Sequence, residues 1–236
     1  MYNNIFQREE LLIGKENLAK LQQKTVAVFG LGGVGSYALE GLARAGIEKF
    51  ILIDFDTIDE TNINRQIIAT TKTIGKYKVD VAKDRIIEIN PKVKVETYKE
   101  FIGKDKETNL NQLKLFEKLK DVDYIVDAID TVSAKIQLIE FANKNNIKII
   151  SALGTGNKLN PTKLRVTDIY STTVCPLAKV IRKELRKRNI TKLQVVYSEE
   201  EPIKHNEQNT TIGSISYVPS VAGLFISYIV ITEILK

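Results

Sequence analysis

The chain is poor in the residues that most often carry redox or metal chemistry. Cysteine, histidine and methionine occur once each, and tryptophan is absent. A single cysteine, Cys175, excludes an intrachain disulfide, and without paired CxxC motifs a zinc knuckle built within the chain is excluded too. The one histidine, His205, falls in the polar segment "EEEPIKHNEQNTTIGS" and gives no support to hydride transfer built on histidine. The opening residues "MYNNIFQREELL" lack the apolar core of a secretory signal. The most apolar run, "VAGLFISYIVITEIL", is shorter than the ~20 residues that span a bilayer and carries Glu233. It reads as a buried helix. The expectation is a cytoplasmic protein without stable membrane insertion.

What is present is an alternation. "EELLIGKENLAKLQQ" has helical apolar spacing and predicts an N-terminal helix. "TVAVF" predicts a buried strand, and "VGSYALEGLARAG" a helix of small residues closed by Gly46. "KFILID" predicts the second strand, "KVDVAKDRIIEIN" an amphipathic helix ended by Pro91, and "VKVETYKEF" the third strand. A polar helix at roughly 108–120 follows. "YIVDAID", "AKIQLIEFANKNN" and "IKIISAL" give strand, helix and strand. Strands joined by helices imply an α/β, Rossmann-like, doubly wound and mainly parallel sheet. From about residue 154 the pattern changes. "KLRVTDI" and "LQVVYS" predict strands of a small C-terminal extension, with a helix at about 176–189 between them. No repeat or low-complexity linker interrupts residues 1–236, so one domain is expected.

The turn "GLGGVGS" between the first strand and the next helix supplies Gly30, Gly32, Gly33 and Gly35. Glycines let the backbone approach a phosphate, and the helix N-terminus offers free N–H groups. NAD, FAD and ATP all fit such a turn. Asp54, ending the second strand, does not discriminate either, because an acid there bonds ribose hydroxyls in many such folds. The next stretch does. "DFDTIDETNINRQ" and "GKYKVDVAKDRI" place Asp56, Asn62, Arg65, Gln66, Lys76 and Lys78 beyond the strand end. Cations aimed at that crevice suit a triphosphate. The fourth strand ends in "DAID", which puts Asp127 and Asp130 beside the crevice, where a carboxylate can hold Mg2+ bridging phosphates. The set favours ATP with Mg2+ over NAD.

In order and spacing these residues resemble the nucleotide site of the ubiquitin-activating (E1-like) superfamily, over about residues 8–152. The remainder, "GTGNKLNPTKLRVTDI", "PLAKVIRKELRKR" and "YVPSVAG", looks most like the superfamily branch that dehydrates threonylcarbamoyladenosine in tRNA. The resemblance implies that a substrate carboxylate attacks the α-phosphate of ATP, giving an acyl-adenylate that cyclises with loss of AMP. It also implies residue roles. Asp54 would hold the ribose, Arg65 and Lys78 the phosphates, and Asn62 and Gln66 would help position them. Asp130 would bind Mg2+. Arg8, in "FQREELLIGKE", matches an arginine that relatives insert into the partner subunit's site, which implies a homodimer.

Cys175 stands just before Pro176 at a predicted helix start, where the branch usually has Asp as an ordinary N-cap. Cys175 is read as structural, because intramolecular ring closure needs no thioester. The run "AKVIRKELRKRNITK" carries Lys179, Arg182, Lys183, Arg186, Lys187, Arg188 and Lys192 against one acid, Glu184. Together with the tRNA resemblance, it is read as a phosphate-backbone contact. An activator of a ubiquitin-like sulfur-carrier protein, or a dehydratase with a sulfur-transfer partner, stays open at this point, as does an NAD-binding Rossmann protein.

Overall fold

A computed structural model describes residues 5–102, 110–203 and 212–236. His205 and part of its polar segment lie outside the described residues, as does the start of the helix expected at 108–120.

The N-terminal helix is two helices, α1 (Gln7–Ile13) and α2 (Lys15–Gln23). Gly14 between them takes φ +84, a left-handed conformation that ends the first helix. Then follow β1 (Thr25–Phe29), α3 (Gly35–Arg44), β2 (Lys49–Ile53), α4 (Lys78–Ile89), β3 (Lys94–Tyr98), α5 (Leu110–Lys118) and β4 (Tyr124–Asp127). The chain continues through α6 (Val132–Lys144), β5 (Lys148–Ala152), β6 (Leu164–Asp168), α7 (Pro176–Lys187), β7 (Gln194–Ser198) and α8 (Tyr217–Leu235).

The strands form one sheet in the order β3-β2-β1-β4-β5-β7-β6. All neighbours pair in parallel except β6 with β7. The C-terminal extension is therefore no separate layer. Its strand β7 runs parallel to β5 and continues the sheet, and β6 closes the edge antiparallel to β7.

Side chains alternate across the sheet, as strand geometry requires. Along β1, Val26 and Val28 join the core formed with α3, α4 and α8, while Ala27 and Phe29 join the core under α5 and α6. A third cluster packs α7 against α6 and β7 through Ile139, Ile181, Leu185 and Val195. α3 and α8 cross closely because both carry small residues at the contact. A side chain on Gly223 would overlap the Val34 carbonyl oxygen, and one on Gly41 would overlap Ser227. Ser227 Oγ donates to Ala38 O at 2.9 Å across that contact.

α8 is long and apolar enough to cross a membrane, but Val218, Ala222, Ile226 and Val230 on one of its faces are buried in the core. Its one acid, Glu233, accepts a hydrogen bond from Tyr124 at 3.0 Å, and burial pushes the Tyr124 hydroxyl above its ordinary range.

Candidate active site

β1 and β4 are neighbours, and both helix crossovers start at their carboxyl ends. A parallel sheet opens a crevice at such a place. Here it is a cavity of about 340 Å³. Its lining includes Gly30, Gly32, Gly33, Asp54, Asp56, Asn62, Arg65, Gln66, Lys78 and Asp130. The sequence-predicted nucleotide residues are thus brought together in one cleft, Gly35 lying just behind at the first position of α3.

The glycines have different reasons to be there. Gly30 has φ +81, and a side chain on it would sit 2.7 Å from Ala128 O. A side chain on Gly35 would collide with the Gly30 carbonyl. On Gly33 it would press on Pro219 of α8 at 3.1 Å. Gly30 and Gly35 are demanded by the protein's own packing, and Gly33 is tight against Pro219. Gly32 is neither. A side chain there would meet only Gln66 Nε2, at 3.9 Å, and would project toward the open cleft. The side chain it lacks leaves room for a ligand. Gln66 adds a second sign, since its Oε1 is buried with no hydrogen-bond partner among the described residues. Buried polar atoms are normally paired, so a polar group entering the cleft would complete it.

Asp54 closes the floor. Leu31 N donates to its Oδ2 at 2.6 Å and Asp56 N to its Oδ1 at 2.9 Å. Each oxygen keeps one lone pair for a hydroxyl. Burial raises the Asp54 carboxyl above its ordinary range, while the nearby Lys78 charge and the two backbone bonds pull the other way. Lys78 is buried at the start of α4, and its ammonium lies 2.6 Å from Asp56 Oδ2. Asn62 is engaged locally, its Oδ1 accepting from Asp59 N at 3.2 Å in a capping box. That box fixes the turn carrying Arg65 and Gln66. Arg65 is half-buried and donates to Thr61 O and Asn64 Oδ1, with no ion pair among the described residues. Its charge is therefore free for an anion. Lys76 is exposed and does not line the cleft.

The two aspartates after β4 separate. Asp130 is exposed on the rim and, among the described residues, accepts a hydrogen bond only from Thr131 Oγ1, at 3.3 Å. Asp127 does not reach the crevice. It is fully buried and paired with Lys135 of α6 at 2.9 Å. The motif placed both acids by strand end alone, and strand alternation turned Asp127 inward.

Asp130 fits a Mg2+ ion that a nucleotide brings. Among the described residues no three metal-ligating side chains cluster, but Mg2+ is commonly held by one carboxylate together with phosphates and water.

Sequence reasoning missed the aromatic wall. Phe55 and Phe101 line the cleft edge to face, with ring centroids 5.0 Å apart. Phe55 directly follows Asp54, so its place was readable. Phe101 comes from the loop after β3, and no local signal marks it. Thr155 and Ser214 also line the cleft.

Arg8 is exposed on α1 and does not line its own chain's cleft. Leu11 and Leu12 on the same helix are 83% and 85% exposed.

The basic helix is corrected in part. Arg182 donates to Thr172 O at 2.9 Å and to the Thr172 hydroxyl. Arg188 pairs with Glu184 and Glu140, and Lys187 with Glu184. One turn of helix brings Glu184 into reach of Lys187 and Arg188, while Glu140 comes from α6 and Thr172 from the segment before α7. That leaves Lys179, Lys183 and Arg186 on the outer face of α7, Arg186 lying 5.4 Å over the Tyr170 ring. Cys175 is buried in the apolar cluster at the N-terminal end of α7.

A doubly wound sheet whose cleft gathers a glycine turn, an acid and cations defines a nucleotide-binding protein. Residues 6–236 match the ThiF family, to which the chain belongs. It is 41% identical to the tRNA threonylcarbamoyladenosine dehydratase of Bacillus subtilis, across 98% of this chain and 94% of that one. It is 40% identical to the Haemophilus influenzae protein of the same name, over 73% of this chain and 63% of that one. Among solved structures it resembles the Escherichia coli tRNA N6-threonylcarbamoyladenosine dehydratase in complex with ATP, with a TM-score of 0.87 and 29% identity. That match covers 98% of this chain and 93% of the other. The same enzyme in complex with AMP superposes equally well.

Proposed function

We propose that the chain is an ATP-dependent dehydratase of threonylcarbamoyladenosine in tRNA. The observation that carries ATP is the pairing of a ligand-facing Gly32 with Arg65, Lys78 and Asp130 in one cleft. The likeness to dehydratases of that name, over 98% of the chain in one case, supports the substrate. The adenylyltransferase and sulfurtransferase of Vanderwaltozyma polyspora aligns with 61% of the chain at 33% identity, so the carrier-protein reading is the weaker one.

In this reading the threonyl carboxylate of the nucleoside attacks the α-phosphate of ATP and pyrophosphate leaves. The neighbouring ureido group then closes a ring on the activated carbonyl, and AMP carries away the oxygen. Water is lost overall. Little proton chemistry is asked of the protein, because a carboxylate is already a nucleophile. The barrier lies in bringing an anion to a polyanion and in stabilising the leaving group, which is work for cations.

The chain's residues divide that work. Asp54 accepts the ribose hydroxyls with its free lone pairs. The Gly32 backbone and the N-terminus of α3 face the phosphates. Arg65 binds phosphate directly, and Lys78 turns from Asp56 to do so. Asn62 holds the turn, and Gln66 takes a ligand donor or acceptor. Asp130 holds Mg2+, which when bound neutralises phosphate charge. Arg8 acts on the site of a second copy. Its exposed helix, with Leu11 and Leu12 beside it, supports a homodimer. Lys179, Lys183 and Arg186 meet the RNA backbone. The packing of α8 on the sheet supports a cytoplasmic protein without membrane insertion.

Pyrophosphate release tests the reading. tRNA bearing threonylcarbamoyladenosine should stimulate it, and a small sulfur-carrier protein should not. Calorimetry should show binding of ATP with Mg2+ and none of NAD. Stimulation by the carrier alone would overturn the substrate.

A further inference from the structure

Asp127 and Lys135 form an ion pair with side chains 0% and 1% exposed, beneath the cleft and outside its lining. A buried pair is weak evidence of a stabilising role, since its desolvation offsets most of its attraction. What the pair holds is more telling. Lys135 Nζ donates to Asp127 Oδ2 at 2.9 Å, and the Ile129 N–H donates to Asp127 Oδ1 at 3.2 Å. Lys135 N also bonds Thr131 O at 3.0 Å, and Ala128 N bonds Phe29 O at 2.8 Å. The strand neighbour of Asp127 in the β4–β5 register, Ser151, leaves its hydroxyl unpaired among the described residues. So the carboxylate is held by Lys135 and Ile129 rather than by the sheet.

The held segment is the turn 128–131. It carries Asp130 to the rim, and its Ala128 carbonyl is the atom that Gly30 must be a glycine to approach. We propose that Asp127 and Lys135 are positioning residues, locking this turn so that the Asp130 carboxylate faces the glycine turn across the cleft. Asp127 sets the Ile129 N–H, and Lys135 orients Asp127 from the first turns of α6. The inference rests on the reading of Asp130 as a metal-holding residue.

The test compares ATP affinity by calorimetry with Mg2+ and with EDTA, and AMP affinity as a reference. The native chain should gain ATP affinity from Mg2+, and Asp130→Ala should lose that gain. The apolar pair Asp127→Leu/Lys135→Met removes the acceptor without stranding a charge. It should cut the gain by about tenfold or more, as outer residues of metal sites do, and leave AMP affinity unchanged. The neutral pair Asp127→Asn/Lys135→Met keeps an acceptor for Ile129 but loses the lysine that orients it, and should keep more of the gain than the apolar pair and less than the native chain.

A gain kept by the folded apolar pair, or an equal fall in AMP affinity, overturns the inference while the Asp130 reading stands. A gain kept by Asp130→Ala overturns the metal reading and the inference with it. Should the apolar pair not fold, amide exchange on the native chain decides. The Ile129 N–H should exchange as slowly as that of Ala128, and a loop-like rate at Ile129 overturns the inference.

Discussion

Lys78 Nζ lies 2.6 Å from Asp56 Oδ2, so the cation that would meet the phosphates is held on a partner at the cleft wall. The lysine is almost buried and the aspartate half exposed. The same ammonium draws down the Asp54 carboxyl, which burial raises. Two outcomes follow from one substitution. Lys78→Met should slow pyrophosphate release by orders of magnitude with the fold intact, since losing such an interaction costs roughly 3–4 kcal/mol. It should also raise the Asp54 titration further, read by carbon-13 NMR of the carboxyl. Because the folded Asp54 value is raised, its contribution to stability is full below the unfolded value and is lost as pH rises through the folded one. A falling Asp54 midpoint in Lys78→Met, or near-normal turnover, would contradict the assignment.

The glycine turn gives a sharper contrast. Gly35→Ala puts a methyl group into the Gly30 carbonyl and should destabilise the fold, by roughly 1–3 kcal/mol or more. Gly32→Ala meets nothing closer than 3.9 Å and should melt like the native protein, yet bind ATP poorly. Thermal melting and calorimetry on the two variants decide. Normal ATP affinity in Gly32→Ala would mean that the phosphates lie elsewhere.

The turn was legible in sequence because its demands are local: a strand, a sharp bend and a helix start within a dozen residues. The same holds for Asp54 at the end of β2. The two-helix N-terminus was not legible, since Gly14 alone can be tolerated within a helix. Nor was the pairing of Asp127 with Lys135, or of Arg188 with Glu140. The cation count of α7 reads the same whether a charge meets solvent, a neighbour or a phosphate. Only packing against α6 and the segment at Thr172 separates Arg182 and Arg188 from Lys183 and Arg186.

That separation is testable. Lys183→Glu with Arg186→Glu should weaken tRNA binding and flatten its salt dependence. The log–log slope should fall by about 0.9 for each duplex phosphate that is no longer neutralised. ATP affinity should not change. Arg188→Ala should leave the salt slope alone. If the double reversal leaves tRNA affinity and slope as they were, the outer face of α7 is only solvated.

Arg8 is outside its own cleft, so its action requires another copy. Arg8→Ala and Asp130→Ala should each be nearly inactive. A mixed dimer of the two contains one site in which an intact Arg8 meets an intact Asp130, and it should recover part of the activity. An arginine delivered in trans to leaving phosphates acts this way elsewhere. Purified mixed dimers as inactive as their parents, or an active monomer by light scattering, would remove Arg8 from the site.

The mass of one nucleoside reads out the substrate. The purified chain is incubated with ATP, Mg2+ and tRNA carrying threonylcarbamoyladenosine, and the nucleosides are then separated and weighed by mass spectrometry. The modified nucleoside should lose one water, with one AMP and one pyrophosphate formed for each conversion, and Lys78→Met should abolish all three. An unchanged nucleoside mass, with a folded chain that still binds ATP, would contradict the proposed substrate.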